Sequence, residues 1–140
     1  MTFSEVCMDL FDVSDDYYLA HCVASDICMG AGIAVPMNAR FGLRQALRDS
    51  GESLEHPTCV LVGRVFNLVT KAESWQKPTV PDFLASLRMM RDQCVDLGVE
   101  RLAMPRLGCG LDGLRWPDVK RAIQADFFET DVDVLVCVWR

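Results

Sequence analysis

Long apolar runs are missing from this chain, and no stretch approaches the ~18 consecutive apolar residues of a membrane span. The opening MTFSEVCMDLFDV has no basic cap before an apolar run, so it does not read as a secretory signal. Clustered positive charge is missing too. Twenty acidic residues against 14 basic ones leave a net charge of −6. That balance argues against a large nucleic-acid footprint, because affinity for phosphate backbones depends on grouped Lys and Arg. An anionic ligand must then be held locally, by backbone N–H groups or a few placed cations. Metal-binding spacing is also missing. The seven cysteines (Cys7, Cys22, Cys28, Cys59, Cys94, Cys109 and Cys137) stand singly, with no CxxC and no His/Cys pair at zinc spacing. They read as buried thiols in a reducing compartment, giving the expectation of an intracellular protein, cytoplasmic or nuclear, with no metal and no cofactor.

Repeats, low-complexity tracts and linkers are absent as well, so one domain over residues 1–140 is expected. Hydrophobic residues make up 51% and charged residues 24%, which excludes disorder as the dominant state. A chain of this length buries roughly two thirds of its unfolded surface.

Short β-rich runs alternate with helical patterns. Residues 3–11 and Tyr18–Val23 read as strands, the second apolar except for His21 and so buried on both faces. Ile33–Arg40 and Leu43–Asp49 read as short helices. Thr58–Val62 and Val65–Val69 flank Gly63-Arg64, a hairpin signal. The clearest helix begins after Thr79, with Pro81 in its first turn and Gly98 at its end. Phe83, Leu84, Leu87, Met90, Cys94 and Leu97 share its apolar face. Arg101–Met104 is a strand, Pro117–Glu129 a last helix and Val132–Trp139 a last strand. The alternation predicts an α/β fold with a central mixed sheet and helices on both faces, with ligands at the strand carboxyl ends.

Two glycine-rich loops follow strands. Met29-Gly30-Ala31-Gly32-Ile33-Ala34 lies between a buried strand and a helix, where backbone can approach a ligand and free N–H groups are presented; alone it is equally a tight turn. Pro105-Arg106-Leu107-Gly108-Cys109-Gly110-Leu111-Asp112-Gly113 can form a nest of N–H groups for phosphate. Asp112 is there either as a turn former or as a general base. Lys71, at the end of VFNLVT, marks either the strand's exit to solvent or an amine at the mouth of a dry pocket, poised to attack a carbonyl-like carbon. His21 reads as a satisfied histidine, either in the core or supporting a ligand-contacting residue from behind. Trp139 either stacks on an aromatic ligand or caps the core.

Taken in order, these segments resemble a macrodomain, and within that family the terminal ADP-ribose protein glycohydrolase branch and its relatives that remove ADP-ribose from DNA. The landmarks are Asp9-Leu10-Phe11, Leu19-Ala20-His21-Cys22, Met29 to Ala34, Thr70-Lys71, Lys77-Pro78-Thr79 and Met104 to Asp112. The resemblance implies a three-layer α/β/α sandwich and ADP-ribose as ligand. By it, Asp9 accepts from the adenine amino group. Gly30, Ala31, Gly32 and Ile33 surround the diphosphate and distal ribose, and Gly108, Cys109, Gly110 and Leu111 form the second phosphate loop. Leu10, His21, Thr70, Pro105, Leu107 and Trp139 complete the candidate ligand-binding set. Lys71 attacks the distal anomeric carbon and Asp112 resolves the lysyl adduct. Ala24 departs from the hydroxyl residue common at its place. The segment HCVASDICMGAGIA lacks the Asn-rich and GGGV-type loops of water-activating relatives. The implied activity is a monomeric hydrolase freeing ADP-ribose from a Glu or Asp ester on protein, from O-acetyl-ADP-ribose or from a nucleobase. A reader without turnover and an ADP-ribose phosphate phosphatase are the competing classes.

Overall fold

In the computed structural model, which describes residues 1–139, the alternating pattern becomes six strands and four α-helices. In chain order they are β1 (Phe3–Val6), β2 (Tyr18–Ala24), α1 (Ala34–Phe41), α2 (Leu43–Asp49), β3 (Thr58–Val62), β4 (Val65–Lys71), α3 (Val80–Leu97), β5 (Arg101–Met104), α4 (Trp116–Phe127) and β6 (Asp133–Cys137). The strands form one sheet in the order β1-β6-β5-β2-β4-β3. β3 runs antiparallel to β4, and the other neighbouring pairs are parallel. The five parallel strands therefore end at one edge, where the loops after β2, β4 and β5 gather.

Alternation along the strands divides the core into two layers. Ala20, Phe66, Leu68 and Leu102 face Phe83, Leu87 and Met90 of α3 and Val119, Ile123 and Phe127 of α4. Leu19, Val23, Val65, Val69 and Ala103 face Met37 of α1 and Leu43 and Leu47 of α2. The result is the three-layer α/β/α sandwich with a central mixed sheet.

Several boundaries differ from the sequence expectation. The first strand stops at Val6 rather than Phe11, because β6 offers register partners only from Val134 to Cys137. The Asp9 carboxylate then accepts from Phe11 N–H at 3.0 Å and caps a 3-10 turn over Leu10–Asp12. Helix α1 begins at Ala34, with Ile33 as its cap. Helix α4 spans Trp116–Phe127; the Thr130 hydroxyl donates to the Phe127 carbonyl at 2.7 Å and closes it early. In α3, Thr79 Oγ1 accepts from Asp82 N–H at 3.2 Å and Gly98 ends the helix at φ +68°. Leu97 is exposed rather than buried; after the Gly98 reversal, Val99 packs beside Cys94 instead.

Candidate active site

The loop after β2 is anchored to the loop after β4. Ser25 N–H donates to the Lys71 carbonyl at 2.8 Å and Asp26 N–H to the Ala72 carbonyl at 3.1 Å. The Asp26 carboxylate accepts from Ser74 N–H at 2.8 Å and from the Ser74 hydroxyl at 2.6 Å. Burial opposes its charge, but these hydrogen bonds prevail and hold the Asp26 carboxyl below its ordinary range. Beyond this anchor the chain runs through Gly30 to Ile33 into α1. Among the described residues, none accepts a hydrogen bond from the N–H groups of Gly30, Ala31, Gly32 or Ile33, so a row of donors stands at a helix start.

The loop after β5 faces it. Gly108 takes φ +71°, and Leu114 N–H closes onto its carbonyl at 2.8 Å. Gly110, Leu111 and Asp112 likewise keep their N–H groups free of protein acceptors among the described residues. Lys77, from the loop after β4, donates to the Leu111 carbonyl and ties this loop down. Between the two loops lies a cleft of about 290 Å³.

Lys71 and Asp112 meet at the cleft wall. Lys71 Nζ donates to Asp112 Oδ1 at 2.6 Å, with side chains 13% and 14% exposed. A pair this enclosed is weakly screened, and removing one member leaves the other charge uncompensated. A primary amine and a carboxylate in direct contact, in a cleft lined by two rows of backbone donors, can exchange a proton next to a bound anion.

Of the residues singled out from the sequence, Gly30, Ala31, Gly32, Ile33, Lys71, Pro105, Leu107, Gly108, Gly110, Leu111 and Asp112 line the cleft. Asp9 and Leu10 lie outside its lining, at the end of β1. His21 is fully buried in the α1/α2 layer, where Nε2 lies 2.6 Å from Asn67 Oδ1; it is a core residue but not a fully satisfied one, since its Nδ1 has no partner among the described residues, and burial lowers its pKa to about 4 against the opposing Asn67 contact. Thr70 is also fully buried, its hydroxyl unpartnered among the described residues, beside a second crevice formed with His56, Trp75 and Asp82. Cys109 is half-buried behind its loop, and Trp139 is 68% exposed past the end of β6.

Sequence reasoning missed Cys22, Val23, Met29, Ala34, Ser74 and Arg106 as lining residues. Cys22, Met29, Ala34 and Arg106 lie within the landmark segments, whereas Ser74 carries no sequence signal and is placed by its bonds to Asp26. Burial raises the Cys22 thiol pKa strongly, with the Asp112 charge adding to it, and burial also raises that of Cys109. Neither thiol is a ready nucleophile. Among the described residues, no group of three or more His, Cys, Asp or Glu could hold a metal ion.

No family model matches the chain. The human ADP-ribose glycohydrolase OARD1 is 39% identical over 130 residues, covering 91% of this chain and 86% of that protein; its bovine counterpart is 38% identical over the same length. Among solved structures, the macrodomain of Mycobacterium tuberculosis DarG superposes with a TM-score of 0.80 at 21% identity, covering 99% of this chain and 97% of the other. The Thermosipho africanus DarTG complex with ADP-ribose gives 0.82 at 21% identity, covering 98% of this chain and 41% of the other. The chain belongs to the macrodomain family, in the branch that contains the ADP-ribose glycohydrolase OARD1.

Proposed function

We propose that the protein binds ADP-ribose in the cleft and hydrolyses its bond to an acceptor, with Lys71 as nucleophile and Asp112 as proton carrier. The observation that carries this reading is the 2.6 Å Lys71–Asp112 contact at the wall of a cleft lined by two loops of free backbone donors. Those donors suit a diphosphate and explain how a chain of net charge −6 holds an anion. The similarity to OARD1 supports the same activity. Seven free cysteines support a reducing compartment, and no described helix is long and apolar enough to cross a membrane.

The reaction divides into two steps. Lys71 first gives a proton to Asp112 across their contact. The neutral amine attacks the distal anomeric carbon; the carbon–nitrogen bond forms as the bond to the acceptor breaks, and Asp112 returns its proton to the departing acceptor. Water then attacks the same carbon. Asp112 takes the water proton and passes it to the lysine nitrogen as the carbon–nitrogen bond breaks. The sum is acceptor–ADP-ribose plus water giving free acceptor and ADP-ribose, with Lys71 regenerated. Asp9 keeps one carboxylate oxygen beyond its Phe11 bond and is the proposed acceptor for the adenine amino group.

Calorimetry with ADP-ribose tests binding. Incubation with an ADP-ribosylated peptide ester, O-acetyl-ADP-ribose and ADP-ribosylated DNA, side by side, tests turnover and identifies the acceptor. Release of ADP-ribose from one of them is expected. Binding without release would make the protein a reader, and no binding would overturn the proposal.

A further inference from the structure

The loop that begins the cleft is held in a conformation its own residues disfavour. Ile27 takes φ +46° and Met29 φ +50°, in the left-handed region that branched and bulky side chains rarely adopt. Both side chains are buried, so their apolar contacts offset part of the cost. Within the loop, Ile27 N–H donates to the Ala24 carbonyl at 3.0 Å and Cys28 N–H to Asp26 Oδ1 at 2.9 Å; Arg44 of α2 adds a restraint from outside it. Its Nε donates to the Ile27 carbonyl at 3.1 Å and its guanidinium also reaches the Cys28 carbonyl. Arg44 is itself fixed, because its N–H donates to Asn38 Oδ1 of α1 at 2.8 Å. Arg44 does not line the cleft. It acts on carbonyls two and three residues before Gly30, where the row of free N–H groups starts.

We propose that Arg44 is a positioning residue for ADP-ribose binding. Its guanidinium fork captures two consecutive carbonyls on the side away from the ligand, and so keeps the N–H groups of Gly30 to Ile33 turned toward the diphosphate. The inference rests on reading this loop as the diphosphate cradle. A planar fork suits this task because its donors are fixed relative to one another, whereas an ammonium on a flexible stem holds two carbonyls less rigidly. The role is separate from the chemistry, since Arg44 touches neither Lys71 nor Asp112.

The test compares the parent, Arg44→Ala and Arg44→Lys. On ligand-free protein, hydrogen exchange of the residue 29–33 amides rises in Arg44→Ala. The Kd for ADP-ribose and the KM of turnover rise about tenfold, the scale of losing one or two net hydrogen bonds, while kcat stays within twofold. Millimolar guanidinium restores binding to Arg44→Ala, because it refills the site, and Arg44→Lys falls between. A residue that merely stabilised the fold would not give this split between KM and kcat, nor the rescue. Parental Kd in Arg44→Ala, or unchanged exchange in the loop, overturns the role of Arg44. If Arg44→Ala does not fold, parental Kd and exchange in Arg44→Lys overturn it equally. If the parent binds no ADP-ribose, the cradle reading falls and the Arg44 proposal with it; parental binding matched by the variants fails the Arg44 role alone.

Discussion

Lys71 Nζ and Asp112 Oδ1 lie 2.6 Å apart although 41 positions separate them in the chain. The sheet order produces this meeting. Strands β4 and β5 lie on opposite sides of β2, all three parallel, so Lys71 at the end of β4 and Asp112 in the loop after β5 reach the same edge. The Lys77 contact with the Leu111 carbonyl keeps the loop after β5 next to the loop after β4. The pair thus depends on topology, and each half reports on the other.

Gly108 and Gly110, in the loop after β5, separate folding from the proposed binding. A Cβ at Gly108 would lie 2.7 Å from Leu114 Cδ1 and 3.3 Å from Phe83 Cε2, at φ +71°. Gly108→Ala is expected to destabilise by roughly 1–3 kcal/mol, read as a lowered Tm. At Gly110 a Cβ meets nothing within 4 Å. Gly110→Glu is expected to melt like the parent yet lose ADP-ribose binding, because on the proposed reading its carboxylate would repel the diphosphate. Parental affinity in Gly110→Glu would remove this loop from the site.

Cysteine chemistry is expected to be dispensable. Cys22 lines the cleft and Cys109 sits in its loop, but burial raises both thiol pKa values. Cys109→Ala and Cys22→Ala, assayed for ADP-ribose release, are expected to keep kcat within a few fold. A total loss of turnover with binding intact would point to thiol catalysis.

His21 gives the fold a pH dependence independent of the active site. Asn67 Nδ2 donates to the Val60 and Val65 carbonyls, both at 3.1 Å, so its Oδ1 must accept and His21 Nε2 carries the proton. Burial keeps the imidazole neutral down to about pH 4, while its ordinary pKa is 6.5. The unfolded chain takes up this proton below about pH 6.5 and the folded chain does not until about pH 4. The associated stability is complete above that window and is lost as pH falls through it, on the order of 3 kcal/mol in total. Urea unfolding at pH 7.5 and pH 4.5 measures it. His21→Leu is expected to be less stable at both pH values but with a flatter dependence. An equally steep dependence in the variant would place its source elsewhere.

The alternation of elements and most of the cleft were legible in the sequence, because short apolar strands, helix caps and glycine loops are local signals. Thr79, Pro81 and Gly98 delimit α3 as read. What was not legible depends on pairing across the sheet. Asn67 faces His21 only because β2 and β4 pair with that register, and the buried run VFNLVT does not announce it. Asp26 and Ser74 join two loops whose proximity follows from the same pairing. The end of β1 was misread because a strand's length is set by its neighbour as much as by its own β-rich residues. Ile27 and Met29, at positive φ, are positions where local preference argues against the backbone they adopt.

Intact-mass spectrometry of Lys71→Ala and Asp112→Ala, incubated with an ADP-ribosylated substrate that the parent cleaves, tests the lysyl adduct most directly. Both variants are expected to lose turnover by at least about a hundredfold. They differ in what they carry: in Asp112→Ala the amine loses its proton only slowly, to solvent, and over a long incubation the protein gains the mass of one ADP-ribosyl group on Lys71, because water attack has lost its proton carrier too, whereas Lys71→Ala binds ADP-ribose and gains none. Release of ADP-ribose by Lys71→Ala at the parental rate would contradict lysine catalysis.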